Sequence, residues 1–111
     1  MYNLKYNLII LGLNMKTLTN LNEIKGVALI DFNATWCGPC RMLHPILEKL
    51  SNEITDVEFY EVDVDDNGYL AEKFNVQSIP CLVIIKDGKE VSRAVGYRPE
   101  AQIKAFINNS K

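Results

Sequence analysis

The chain has 111 residues, with 12 Lys and Arg against 14 Asp and Glu and a net charge of −2. That length makes one domain with a modest core, and the faintly acidic balance, with no basic run, excludes a nucleic-acid binder or a ligand of acidic membrane surfaces. Three cysteines are too few for a disulfide scaffold and leave one over after any pairing, which fits a reducing, cytoplasmic setting better than a secreted framework.

Residues 1–14 hold an apolar run, Leu8-Ile9-Ile10-Leu11, with one lysine before it. The run is short for a secretory segment, lacks a small-x-small cleavage site and is far too short to span a bilayer. It reads as an N-terminal extension ahead of a domain over residues 15–111, in preference to a targeting segment. Met15–Leu18 reads as a short first strand, and Thr19 or Asn20 as the cap of a short helix carrying Leu21 and Ile24. Val27–Phe32 is almost continuously apolar, as a central strand covered on both faces requires. Leu43, Ile46, Leu47, Leu50 and Ile54 then recur at helical spacing. They predict a helix from Cys37 to about Asn52, bent where Pro45 removes a backbone donor.

Val57–Val64 reads as the next strand. Asp65-Asp66-Asn67 supplies start chemistry for a short helix with Leu70, Ala71 and Phe74 inward. Leu82–Ile85 is a further buried strand, and Asp87-Gly88 marks a hairpin because Gly tolerates the positive φ of a tight turn. Glu90–Val95 returns as an edge strand. Pro99 opens a last helix with Ile103, Phe106 and Ile107 as its apolar stripe. Alternating β and α elements predict an α/β sandwich of three layers: helices on both faces of a mixed, mostly parallel sheet, closed by an antiparallel C-terminal hairpin.

The chemistry is concentrated in Trp36-Cys37-Gly38-Pro39-Cys40. Cys37 falls at the predicted helix N-terminus, where unpaired N–H groups and the macrodipole favour a thiolate. Cys40, three residues on, can reach it and close a disulfide with little backbone movement. An attacking thiolate and a resolving neighbour are the minimum parts for thiol–disulfide exchange. A second reading is half of a zinc site, which needs two more ligands when only Cys81 and His44 remain. Asp31, inside a run of Leu, Ile and Phe, should have its pKa raised by desolvation, and a carboxyl poised near neutrality can take the Cys40 proton, directly or through a water. The alternative for Asp31 is a strand-end cap.

The motif Trp36-Cys37-Gly38-Pro39-Cys40 resembles the active site of the thioredoxin family. The likeness extends to Asp31, to Pro45 in the following helix, to Ile79-Pro80 and to Val95-Gly96, over roughly residues 15–111. It implies the thioredoxin fold and a protein-disulfide reductase that works without a cofactor or metal, on disulfides of other proteins. It further implies recharging by an NADPH- or ferredoxin-linked thioredoxin reductase, helping to maintain cellular redox balance, and a monomer. Pro80 is implied to be cis, and Trp36, Ile79, Pro80 and Gly96 to form a shallow apolar patch around Cys37 for extended substrate segments. Plain core packing is the rival for Trp36. Gly38-Pro39 is what reductants of the family carry, whereas oxidising relatives usually place a histidine there.

Two rivals are a glutaredoxin-like or oxidising relative, told apart by coupling to glutathione, and a structural module whose cysteines are dispensable. Two positions depart from the family pattern. Glu61 stands where many bacterial members carry lysine, and should raise the Asp31 pKa further. Cys81 replaces the usual threonine after the proline; it reads as a small buried substitute, with a third redox thiol as the sharper alternative. His44 reads as a surface or packing residue.

Overall fold

The computed structural model describes residues 14–111, so the expected extension over residues 1–14 lies almost wholly outside the described residues. In chain order come β1 (Lys16–Thr17), a 3-10 turn (Leu21–Glu23), β2 (Val27–Asn33), α1 (Gly38–Glu53), β3 (Glu58–Asp63), α2 (Gly68–Lys73), β4 (Cys81–Lys86), β5 (Lys89–Val95) and α3 (Glu100–Ser110). Local chemistry fixes the ends. Asn20 and Glu23 cap the 3-10 turn reciprocally. The Asn67 side chain accepts the Leu70 N–H at 3.2 Å to start α2. Asp87 and Gly88 take φ of 52° and 83° in the hairpin, the pair of positive values that a two-residue turn matched to strand twist demands. Pro99 is the residue just before α3, not its first member.

The strands form one sheet in the order β1-β3-β2-β4-β5. β3 runs parallel to both β1 and β2, while β4 runs antiparallel to both β2 and β5. The antiparallel pairing thus reaches the centre of the sheet and is not confined to the closing hairpin. The helix between β3 and β4 is also short. Six residues of helix rise only about 9 Å, against about 20 Å for a strand. The next strand sets off from the end where β2 finishes, with Cys81 opposite Phe32.

Strand alternation divides the core into two layers. Leu29, Phe59, Leu82 and Ile84 face α1 and α3, where they meet Leu43, Leu47, Leu50, Ile103 and Ile107. Ala28, Ile30, Phe32, Val62, Cys81, Val83 and Ile85 face the 3-10 turn and α2, packing with Leu18 and Leu70. β2 lies at the middle and is buried on both faces, which is why it reads as a continuous apolar run. Asp31 interrupts that run on the face that looks at α1.

Candidate active site

β2 ends at Asn33, and a turn closed by the Cys37 N–H on the Ala34 carbonyl at 3.2 Å delivers the chain to α1. Cys37 is the N-cap residue of α1, in extended conformation, with Pro39 in the first turn where no N–H is required. Its Sγ accepts the backbone N–H of Cys40 at 3.3 Å, so one of the helix's unpaired donors points at this sulfur. Cys37 and Cys40 are joined as a disulfide with Cα atoms 5.3 Å apart, within the usual span for such a bond. The two are about equally covered, 5% and 4% exposed, because each bonded sulfur shields the other and the pair packs on Ala34, Val64 and Ile79.

The Ile79–Pro80 bond is cis. Gly96, at φ 91°, donates its N–H to the Pro80 carbonyl at 2.8 Å, which brings the β5 end against this loop. Ile79 is half-buried against both cysteines. Trp36 is 66% exposed, which rules out the core-packing reading, and its Nε1–H donates to Asp65 at 2.8 Å. Val95 and Tyr97, on either side of Gly96, are also exposed.

Asp31 is 1% exposed. Burial, which penalises the charged form, pushes its pKa up to about 7. Asn33 works against this by donating to Oδ2 at 3.2 Å; the charge of Glu61 adds to the rise, and His44 lowers it. Oδ1 has no hydrogen-bond partner. Glu61 lies directly across from Asp31 on β3. His44 reaches toward it from α1, with Nδ1 3.9 Å from a Glu61 oxygen and Nε2 2.7 Å from Glu48. A cleft of about 400 Å³ opens here, with Asn33, Cys40, His44 and Glu61 on its walls. The strand-end reading of Asp31 fails, since its carboxylate caps no loop and its one hydrogen bond comes from Asn33.

Cys81 is a free, buried thiol in the opposite core layer, beside Phe32 and Val83. Burial pushes its pKa up, so it holds its proton. Among the described residues, no group of three His, Cys, Asp or Glu is placed to hold a metal ion.

Sequence reasoning does not single out Asn33 or Glu48, and it reads Asp65 only as helix-start chemistry, not as the partner of Trp36. Asn33 sits two residues from Asp31 on the same strand face, and Glu48 lies at the i,i+4 spacing that continues Cys40 and His44 along α1. Both were therefore accessible to pattern reasoning. Asp65 is 29 residues from Trp36, and nothing local announces it.

A bonded cysteine pair at the head of a helix, beside a cis-proline loop on a mixed sheet, defines a protein-disulfide oxidoreductase acting by dithiol–disulfide exchange. The thioredoxin family model matches residues 14–109, and the chain belongs to the thioredoxin family. The thioredoxin of Chlamydia caviae is 48% identical over 83 residues, which span 75% of this chain and 81% of that protein. Among solved structures, Fasciola hepatica thioredoxin superposes with a TM-score of 0.76 at 47% identity, covering 82% of this chain and 88% of the other. A thioredoxin of Nicotiana alata gives 0.80 at 31% identity, covering 88% and 93%. Disulfide-bearing substrates and a reductase partner come with membership of this family.

Proposed function

We propose that Cys37 is the nucleophile and Cys40 the resolving thiol of a general protein-disulfide reductase. The Cys37 thiolate attacks one sulfur of a substrate disulfide, breaking that bond and releasing the other substrate sulfur as a thiolate. Cys40, as a thiolate, then attacks Cys37 Sγ, frees the second substrate thiolate and leaves the Cys37–Cys40 disulfide. Two electrons pass to the substrate, and a thioredoxin reductase returns them. Asp31 accepts the Cys40 proton as the second step begins; a carboxyl with pKa about 7 can both take and release a proton near neutrality. Trp36, Ile79, Pro80 and Gly96 receive the substrate segment, and Gly38-Pro39 keep the pair on the reducing side.

The observation that carries this reading is the Cys40 N–H directed at Cys37 Sγ at the start of α1, a placement that favours negative charge on Cys37 and not on Cys40. The domain occupies residues 15–111 behind an N-terminal extension, acts as a monomer in the cytoplasm and carries electrons between reductase and substrates. No described helix is long and apolar enough to cross a membrane. Reduction of insulin disulfides, driven by NADPH and a thioredoxin reductase, tests the assignment. Turnover that disappears in Cys37→Ser is expected; equal turnover by that variant contradicts it.

A further inference from the structure

Cys40, His44 and Glu48 follow one another at one-turn spacing along α1, on the side that faces β3. The imidazole bridges the space between Glu48 at 2.7 Å and Glu61 at 3.9 Å, and Glu61 is the strand neighbour of Asp31. The remaining charged groups on this cleft are Arg41 from α1, Asp63 from β3 and Asp66 from the loop beyond it. Thr17 and Thr19, from β1 and the segment after it, bring no titratable group. The Arg41 guanidinium is committed to the Thr35 carbonyl at 2.9 Å. His44 is therefore the group that brings a cation between the two glutamates.

We propose that His44 is a positioning residue for proton transfer at Asp31. When protonated, it offsets the charge of Glu61 and so lets the buried carboxyl return the Cys40 proton to water in the cleft. The cycle balances. The proton leaves Cys40 Sγ for the Asp31 carboxylate as the Cys40–Cys37 bond forms, and passes from Asp31 to solvent before the next turnover. This assignment rests on Asp31 being the proton acceptor.

The test uses the full, reduced chain as wild type, His44→Gln, His44→Lys and Asp31→Asn. Two readings are taken against pH: the Asp31 carboxyl carbon chemical shift by NMR, and the single-turnover rate of oxidation by insulin. His44→Gln should move the Asp31 inflection upward by about half a pH unit, in both readings. His44→Lys, a permanent cation, should return it to the wild-type position or below. An Asp31 inflection that stays put in His44→Gln, or that moves up equally in His44→Lys, overturns the proposal. If Asp31→Asn keeps the wild-type rate profile, the proton-acceptor reading itself is wrong and the role of His44 falls with it. If the rate inflection vanishes in Asp31→Asn yet is unmoved in His44→Gln, only the His44 assignment is lost.

Discussion

Asp31 and Cys81 are each 1% exposed, on β2 and on β4 beside it, yet they sit in opposite layers of the core and do different things. Each is a titratable group whose pKa burial raises. Cys81 is surrounded by Phe32, Val83 and their neighbours and behaves as a small apolar filler, since a thiol gives up little by leaving water. Asp31 keeps one oxygen without a partner, next to a cleft whose walls carry Cys40 and His44. Equal depth therefore does not mean equal role. What separates the two is the unsatisfied polar atom that Asp31 keeps, which a packed core does not tolerate without cost.

The largest effect that could break this contrast is on chemistry. Cys37→Ser should abolish insulin reduction, and Cys40→Ser should stop after one attack, leaving a mixed disulfide visible by mass spectrometry. Cys81→Ala should keep turnover within about twofold, since a residue in the far layer makes no bond in the cycle. A large loss in Cys81→Ala would return the third thiol to the mechanism.

Asp31→Asn comes next, and should lower single-turnover rates at neutral pH by about a hundredfold, the usual scale for a positioned acid–base group. It should also remove a pH dependence of stability. Burial pushes the folded carboxyl up to about 7 from the ordinary aspartate value of 3.8, so between these values the native state binds the extra proton. Stability then falls as pH rises through that window, by on the order of 4 kcal/mol once above it. Chemical denaturation at pH 4 and pH 8.5 should therefore show Asp31→Asn gaining over wild type at the higher pH. Equal stability of the two proteins at both pH values would mean that Asp31 is not held in a desolvated site.

A smaller effect sharpens the Cys81 side. Cys81→Ser should cost about 1–3 kcal/mol by burying a hydroxyl without a partner. Cys81→Ala should cost less, leaving only a small void. Urea midpoints for the two variants would read the difference, and a more stable Ser variant would contradict the filler role. The smallest expected effect is Trp36→Phe, which removes the bond to Asp65 and should cost about 1 kcal/mol, with substrate affinity falling more than the rate.

Much of this was legible in the sequence because the signals are local. The helix head at Cys37 follows from the switch between an apolar run and helical spacing, and the Asp87-Gly88 turn from the positive φ it requires. The lone carboxylate inside Leu29-Ile30-Asp31-Phe32 announces its own raised pKa, and Glu61 its direction of influence. The reversed direction of β4 was not legible, because it depends on how β4 pairs with β2 across the sheet, which local patterns do not specify. The cover over Cys37 was also missed. A sequence does not show whether the pair is bonded, and the bonded pair shields itself. The partner of Trp36, Asp65, is set by tertiary register, which periodicity alone does not supply.

The most direct test of the central claim is the pH dependence of alkylation of the fully reduced chain, with each cysteine followed by mass mapping. Cys37 should react first, with an inflection well below the roughly 8.5 of free cysteine, while Cys40 and Cys81 stay slow. Alkylation of Cys40 ahead of Cys37, or a Cys37 inflection no lower than that of free cysteine, would contradict the account.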